Sequence, residues 1–252
     1  MKLKDRVSIV TGGGSGLGRS MSVNLAKEGS KVVVADMNLE SADETVEMIK
    51  ENGGEASSVE VDVTNQEQID HVVQFTLDTY GSIDVLCNNA GIGGAAEKLL
   101  DVPTESWDKV LNVDLKSLFL MTKAVLPTML KQEKGVIINT ASASGLLASN
   151  AGIEYTSAKH GVIGFTKQVA FEYGHDGIRS VAVAPGVIET PLTEEAGMTG
   201  PGGIFHDLTM NAPAGRYGKP DEIGKVVAFL ASDDASFING TTVPVEGGSS
   251  IY

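Results

Sequence analysis

Apolar residues in this chain recur in short runs that are rich in β-branched side chains. Several of these runs are apolar at nearly every position, which is typical of strands covered on both faces in a parallel sheet. The pattern therefore predicts buried strands near 6–10, 31–36, 57–63, 83–89, 135–142, 178–185 and 241–248.

Longer stretches between these runs have the amphipathic pattern of helices. Alternation of strands and helices implies βαβ units with right-handed crossovers, which build a doubly wound α/β fold. Thr64 or Asn65 can cap the third helix, and Pro103 and Pro220 open the fourth and the last. The predicted helices lie near 17–28, 39–52, 65–80, 104–132, 155–173 and 220–232.

One stretch, at about 191–218, breaks the alternation. It holds six glycines and three prolines, and its apolar residues are scattered, so we predict an irregular insert. A long irregular insert in a compact domain is usually functional, and we expect a substrate lid here; a solvated loop is the alternative. The strands on either side complete one sheet, so we expect a single domain over 1–252. The apolar lid residues are Leu192, Met198, Ile204, Phe205, Leu208 and Met210.

The composition narrows the range of partners and compartments. A formal net charge of −14 disfavours binding to nucleic acid and to anionic membranes. Cys87 is the one cysteine, so the chain cannot build a disulfide framework or a multi-thiolate zinc site, which fits a reducing cytoplasm. We expect neither a secretory signal nor a transmembrane helix. The four histidines show no metal-ligand spacing, so we expect no metal; His206, in the lid, is a candidate substrate contact.

A turn of five glycines, TGGGSGLG, joins the first strand to the first helix. A helix N-terminus presents unpaired amide donors and a positive dipole end, which suit a pyrophosphate. The spacing G-x-G-x-x-G does not match because Leu17 stands where the third glycine belongs. The spacing T-G-x-x-x-G-x-G does match, through Gly12, Gly16 and Gly18, whereas Gly14 falls at a position that this pattern leaves variable. A purely structural turn is the alternative for this motif alone.

The second strand ends in an acid, Asp36. In a dinucleotide fold, an acid here accepts hydrogen bonds from the adenosine ribose and repels a 2′-phosphate. Met37 follows it where an arginine would serve a phosphate, and Ser15 occupies the glycine turn where a basic residue would do so. These three residues favour NAD over NADP. The alternative for a lone acid after a strand is a helix cap or a turn residue, but the distance of Asp36 from the glycine turn favours the ribose role.

A tyrosine and a lysine stand four residues apart in YTSAK, which places Tyr155 and Lys159 on one helical face. An ammonium group beside a phenol favours the phenolate, and a poised phenol can exchange a proton with an alcohol or ketone. Ser142 ends the fifth strand, at the sheet edge where α/β folds bind ligands. By itself such a pair is more often a surface pair; the other motifs change this reading.

In this order, the motifs resemble the short-chain dehydrogenase/reductase family in its compact one-domain subtype, over essentially the whole chain. The resemblance implies one Rossmann-fold domain with a seven-stranded parallel sheet in the order 3-2-1-4-5-6-7. It also implies an NAD-dependent oxidoreductase similar to bacterial secondary-alcohol and cyclic-alcohol dehydrogenases. The matching residues are Thr11-Gly12-x-x-x-Gly16-x-Gly18, Asp62-Val63, Asn88-Asn89-Ala90-Gly91, Asn112, Ser142, Tyr155-x-x-x-Lys159 and Pro185-Gly186-x-x-x-Thr190.

The family assigns roles to these positions. Tyr155 is the implied general acid/base, with Lys159 favouring its ionised form and binding the nicotinamide ribose. Ser142 is implied to stabilise charge on the substrate oxygen, and Asn112 to hold a water in a proton relay toward Lys159. The implied cofactor contacts, with Asp62 and Val63 at the adenine and Ile188 and Thr190 at the carboxamide, are Gly12, Ser15, Gly16, Leu17, Gly18, Asp36, Met37, Asp62, Val63, Asn89, Ala90, Gly91, Tyr155, Lys159, Pro185, Gly186, Ile188 and Thr190.

Alternatives remain at this point. Ser144 could replace Ser142, and Val181 stands where the family often has a supporting asparagine. A 3-oxoacyl-thioester reductase is the second enzyme hypothesis, and a catalytically silent nucleotide-binding protein is the third. We expect the substrate pocket to form from about 142–150, 186–192 and the lid. The resemblance also implies a homotetramer, with the small residues that follow Tyr155 packing either within the fold or between subunits.

Overall fold

The computed structural model describes residues 1–195 and 197–251, so Ala196 of the expected lid and Tyr252 at the end of the expected domain lie outside the described residues. The predicted α/β fold is confirmed: seven parallel strands form one sheet in the order β3-β2-β1-β4-β5-β6-β7. The strands are β1 (Val7–Thr11), β2 (Lys31–Asp36), β3 (Glu55–Glu60), β4 (Val85–Asn88), β5 (Gly135–Thr140), β6 (Ile178–Pro185) and β7 (Thr242–Val245).

Helices cover both faces of the sheet, and this explains the continuous apolar runs. Along β1, Val10 packs into the hydrophobic cluster that includes Met21 of α1, whereas Ile9 packs into the cluster on the other face with Val125 of α5. The helices are α1 (Gly16–Lys27), α2 (Leu39–Glu51), α3 (Gln66–Tyr80), α4 (Thr104–Leu111), α5 (Ser117–Lys131), α6 (Ile153–Tyr173), α7 (Pro191–Glu195), α8 (His206–Asn211) and α9 (Pro220–Ala231).

The structure differs from the sequence-based expectation mainly in three places, and β4, β5 and β7 are also shorter than the predicted runs 83–89, 135–142 and 241–248. The third strand is Glu55–Glu60 rather than 57–63, because β2 offers no backbone partner beyond Asp36. The long fourth helix is divided by a π turn at Asn112–Lys116. The insert at 191–218 is not wholly irregular, since it carries the short helices α7 and α8.

The predicted start signals have clear structural roles. Asn65 rather than Thr64 caps α3, because its side-chain oxygen accepts hydrogen bonds from the backbone N–H groups of Glu67 and Gln68 at 3.0 and 3.3 Å. Pro220 is the first residue of α9, and Pro103 immediately precedes α4. None of the helices that the structure describes is both long and apolar enough to cross a membrane.

Candidate active site

The carboxyl ends of β1 and β4 are tied together by side-chain hydrogen bonds. The hydroxyl oxygen of Thr11 accepts from the backbone N–H groups of Asn89 and Ala90 at 3.0 and 3.1 Å. The Asn89 side-chain amide in turn donates to the Thr11 carbonyl at 3.0 Å. These contacts fix the floor of a cleft at the edge of the sheet where parallel strands present ligand sites.

A cavity of about 410 Å³, called here the first cavity, occupies this cleft. It extends from the glycine turn and Asp36 to Ser142 and Lys159. Every residue of the predicted cofactor-binding set lines it except Asp62. Pro191, Leu192 and Thr193 of the expected lid also line it, and the lining residues that sequence reasoning missed are Val61, Ile92, Val113, Asp114, Thr140 and Ala141.

The glycine turn has the close packing that a dinucleotide site needs. A methyl group on Gly18 would overlap the carbonyl oxygen of Gly12, so only glycine lets α1 approach the end of β1. Gly12 itself has φ +61°, and a Cβ there would lie 3.0 Å from the Ala90 Cα. Bare backbone at the start of a helix, together with a carboxylate and a buried lysine along the same cavity, fits a nicotinamide dinucleotide.

The two acids predicted for the adenosine end are placed differently. Asp36 lines the first cavity at the end of β2, and its oxygens accept from the backbone N–H groups of Gly14 at 2.8 Å and Asn38 at 3.0 Å. The Asp62 carboxylate instead holds its own turn, accepting from the Thr64 N–H at 2.8 Å and hydroxyl at 2.7 Å. The structure therefore brings Val63, but not Asp62, into the cavity.

Tyr155 and Lys159 lie one turn apart at the start of α6, as the spacing predicted. The Lys159 Nζ lies 5.4 Å from the centre of the Tyr155 ring and donates to the Thr140 carbonyl at 3.1 Å. It also lies 3.1 Å from Oδ2 of Asp114. Burial, the largest single influence, disfavours the charged lysine, but the interactions with Asp114 and Tyr155 together exceed it, so the pKa of Lys159 is raised.

Asn112 is the first residue of the π turn, and the side chain of this turn that pairs with Lys159 is that of Asp114. Asp114 is fully buried, and its Oδ1 accepts from the backbone N–H of Ile92 at 2.8 Å. Asn112 lines neither the first cavity nor the one beside it. In the sequence, the only sign of this role for Asp114 is that its carboxylate follows Asn112 by two residues, in the run N-V-D-L-K.

A second cavity of about 380 Å³ adjoins the first and shares Ser142 and Tyr155 with it. Residues from within 142–149 and 185–193 line it, together with the lid side chains of Met198, Phe205 and Leu208, as the sequence suggested for these segments. Sequence reasoning missed Gly93, Gly94, Ala151, Glu222, Ile223 and the segment 244–249. Ile204, Met210 and His206 do not line it.

The hydroxyl groups of Ser142 and Ser144, near the junction of the two cavities, already make hydrogen bonds within the protein. The Ser142 Oγ accepts from the Ser144 N–H at 3.1 Å, which leaves its own proton free to be donated. The Ser144 Oγ is hydrogen-bonded to the Ser149 Oγ at 2.7 Å. Ser142 also borders both cavities, whereas Ser144 borders the second alone. The geometry thus favours Ser142 over Ser144 as the group that contacts a reacting oxygen.

Comparisons with known proteins agree with this geometry. Residues 12–250 match a protein-family model described as Enoyl-(Acyl carrier protein) reductase. A 3-oxoacyl-[acyl-carrier-protein] reductase of Thermotoga maritima is 39% identical over 248 residues, which cover 98% of this chain and 99% of that protein. A cyclohexanol dehydrogenase of Acinetobacter sp. is 39% identical over 248 residues, covering 98% and 95%. The crystal structure of a levodione reductase superposes with a TM-score of 0.95 at 39% identity, covering 99% of this chain and 100% of that one.

Proposed function

Because the chain belongs to the short-chain dehydrogenase/reductase family, we propose that it is an NAD(H)-dependent oxidoreductase that interconverts a secondary alcohol and a ketone. One observation carries the proposal. Ser142 and Tyr155 stand at the junction of two cavities, one lined by the glycine turn and suited to a dinucleotide, the other lined largely by apolar side chains. A substrate in the second cavity would therefore meet a proton donor and a cofactor at the same point.

The residues at the junction divide the work of the reaction. The nicotinamide cofactor, when bound, supplies or accepts the hydride. Tyr155 donates its proton to the ketone oxygen during reduction and accepts the alcohol proton during oxidation. Ser142 donates a hydrogen bond to the same oxygen and stabilises the charge that develops on it. The positive charge of Lys159 stabilises the phenolate that Tyr155 leaves behind.

The adenosine end of the first cavity supports NAD rather than NADP. Asp36 presents a carboxylate there, and a 2′-phosphate close to it would be repelled. Arg19, on α1, donates from Nε to the Gly14 carbonyl at 2.9 Å and pairs with Glu44 at 2.7 Å, so its charge is already compensated. Ser15 and Met37 add no positive charge to this end of the cavity.

The second cavity supports a neutral, largely apolar substrate. Two of the three charged side chains on its wall pair with each other: Arg216 binds Glu222 through two contacts of 2.7 and 2.8 Å. Glu246 accepts from the Ser249 hydroxyl at 2.6 Å and from the Ser250 N–H at 3.0 Å. A small secondary or cyclic alcohol suits these surroundings better than a charged sugar.

A 3-oxoacyl thioester is the second candidate substrate. It is supported by the similarity to the Thermotoga maritima reductase, which has the same 39% identity as the cyclohexanol dehydrogenase. The Asp36 carboxylate opposes this alternative, since such relatives usually take NADPH. A catalytically silent nucleotide-binding protein is opposed by the intact combination of Ser142, Tyr155 and Lys159.

The proposal is tested by steady-state kinetics. Linear and cyclic secondary alcohols, their ketones and a 3-oxoacyl thioester are assayed in parallel with the NAD and NADP couples. We expect the NAD couple and a secondary alcohol to give the highest kcat/KM. Tyr155→Phe should lower kcat by a factor of about 10² or more, because it removes the transferable proton. Tyr173→Phe, at the far end of α6, is the matched control and should retain full activity. A clear NADPH preference, or full activity of Tyr155→Phe, would contradict the proposal.

Two broader expectations belong to the same proposal. The resemblance implies assembly as a homotetramer, which size-exclusion chromatography with light scattering would measure directly. It also implies action in the cytoplasm on a small-molecule substrate, without nucleic acid or membrane as a partner; the acidic net charge of −14 is consistent with this.

A further inference from the structure

Asp114 is a buried carboxylate inside the candidate active site, and the proton transfer described above does not use it. It is fully buried, and its Oδ1 is held by the Ile92 N–H at 2.8 Å. Its Oδ2 faces the Lys159 Nζ at 3.1 Å. A buried carboxylate costs free energy unless it is paired, so its presence here calls for a role.

The contacts around Lys159 define what this carboxylate does. Lys159 is only 3% exposed. Its ammonium group contacts the Asp114 carboxylate on one side and the Thr140 carbonyl, at 3.1 Å, on another. An ammonium has three N–H donors in all. The Thr140 carbonyl accepts one of them, whereas Asp114 Oδ2 holds the ammonium as an ion-pair partner without meeting hydrogen-bond geometry; the group therefore keeps donors for the cavity, which Tyr155 also lines.

Other charged groups near this point are directed elsewhere. On α6, the Glu154 carboxylate accepts from the Ala95 N–H at 2.7 Å, and His160 is exposed with its Nδ1 against the Thr156 carbonyl. The turn at 140–145, which packs on α6, has no titratable side chain. Across the second cavity, Arg216 and Glu222 pair with each other, and Glu246 binds its neighbouring serines. At the opposite end of the first cavity, Asp36 binds backbone N–H groups.

We propose that Asp114 is a positioning residue that holds the Lys159 ammonium against Thr140, offsets part of its charge, and so sets the pH range in which Tyr155 exchanges protons with substrate. This inference rests on the proposed function, because it assigns a purpose to the Tyr155–Lys159 pair. Asp114 lines the first cavity but not the second, and it acts through Lys159.

The sign of the effect follows from the charges. Without the Asp114 charge, Lys159 acts unopposed on the neighbouring phenol, so the phenolate forms at lower pH. Asp114 also raises the pKa of Lys159 against the effect of burial, and without it the ammonium loses its proton at lower pH. Both limbs of the pH profile should therefore move in the acidic direction.

The first test compares Asp114→Asn with the parent enzyme. Asparagine keeps the shape and an oxygen for the Ile92 N–H but removes the charge. We expect the kcat/KM profile for alcohol oxidation to shift by about one pH unit to lower pH, the low end of what a neighbouring charge produces. Asp108→Asn removes an equal charge from an exposed site on α4 and should leave the profile unchanged. An unshifted or alkaline-shifted profile for Asp114→Asn would overturn the inference.

A second readout needs neither cofactor nor turnover. Tyrosinate absorbance is titrated in the cofactor-free protein, and the signal of Tyr155 is isolated by subtracting a Tyr155→Phe variant in each background. The Tyr155 signal should appear at lower pH when Asp114 is replaced by asparagine. If Tyr155→Phe keeps full activity, the proposed function fails; if it is inactive and neither readout shifts, only the role of Asp114 fails.

A double-variant cycle covers the case in which Asp114→Asn alone does not fold. Lys159→Met removes the partner charge, and the two substitutions together leave no unpaired buried charge. The double variant should fold even where Asp114→Asn does not, and where both fold it should melt at a higher temperature than the Asp114→Asn protein. A double variant that is no more stable than Asp114→Asn would show that the two side chains are not coupled, and the inference would be rejected.

Discussion

Alanine at two neighbouring glycines, Gly14 and Gly16, should separate protein stability from cofactor affinity. A Cβ on Gly14 would lie 2.9 Å from the Ser41 Cβ and 3.0 Å from the Ala42 nitrogen, so it would press the glycine turn against α2. A Cβ on Gly16 would meet nothing closer than the Thr190 Cβ at 3.4 Å, but Gly16 has φ +48°. Gly16 and Thr190 line the first cavity, whereas Gly14 does not.

The magnitudes follow from these distances. Crowding of the kind expected at Gly14 costs about 1–3 kcal/mol, part of which is offset because alanine makes the unfolded chain less flexible. For a chain of this size, a net loss of about 1–2 kcal/mol lowers Tm by roughly 2–8 °C. Gly16→Ala pays a left-handed backbone penalty of about 1–2 kcal/mol with no overlap, so its Tm should fall no further than that of Gly14→Ala.

Cofactor affinity should show the opposite ranking. The Gly16 methyl group points toward Thr190 across the first cavity, where the glycine turn has to approach the pyrophosphate. We expect NADH to bind Gly16→Ala about tenfold more weakly than Gly14→Ala, a difference of about 1.4 kcal/mol. Fluorescence titration with NADH and thermal melting of the same preparations supply the two measurements. Equal losses of affinity, or a larger loss in Gly14→Ala, would refute the assignment of Gly16 to the pyrophosphate.

Two further substitutions test the ends of the two cavities. Asp36→Asn keeps an acceptor for the Gly14 N–H but removes the negative charge. The ratio of kcat/KM for NADP to kcat/KM for NAD should therefore rise about tenfold or more. The control is Asp62→Asn, which should leave this ratio unchanged because Asp62 lies outside the first cavity. Ser142→Ala should lower kcat by about 10²-fold and Ser144→Ala by far less, because only Ser142 of the two borders both cavities. Comparable losses of kcat in the two variants would point to a shared or structural role.

The fold was predictable because buried segments are apolar and this pattern can be read along the sequence. The pattern reports which residues are buried, however, and not which residues pair with a neighbouring strand. The expected strand 57–63 shows the difference. Val59, Val61 and Val63 all pack into one hydrophobic cluster, so the alternation of buried residues continues past Glu60. The backbone hydrogen bonds to β2 do not continue as far. The last of them joins the Val61 N–H to the carbonyl of Asp36, and β2 ends at Asp36. Hydrophobic periodicity therefore located the strand but misplaced its bounds.

The lid illustrates a different limit. α7 and α8 span five and six residues, less than two full helical turns, so neither presents enough apolar positions for a helical period to be recognised. Phe205 is buried just before α8 while Ile204 beside it is 47% exposed, and no local rule distinguishes the two. The contribution of residues 244–249 to the second cavity was also invisible, because it arises from the return of the chain to the site after β7.

The candidate site was predictable where chemistry and spacing coincide, and not where a tertiary contact decides. Tyr155 and Lys159 share a face because they are four residues apart on one helix. Asp114 meets Lys159 only because the π turn projects it from another helix, so its spacing along the chain carries no comparable signal. Gly14 is another position where a tertiary contact decides. The motif allows any residue there, but α2 packs too closely for a side chain.

The arrangement of the two cavities separates the choice of cofactor from the choice of substrate. Asp36 lines the first cavity alone, and the lid side chains of Met198 and Phe205 line the second alone. Ser142 and Tyr155, the two residues assigned to the reacting atoms, line both cavities. Substitutions at one end have no shared partner at the other, so their effects on transition-state free energy should add. Relatives with one common reaction can then differ in substrate through the lid while the junction stays the same.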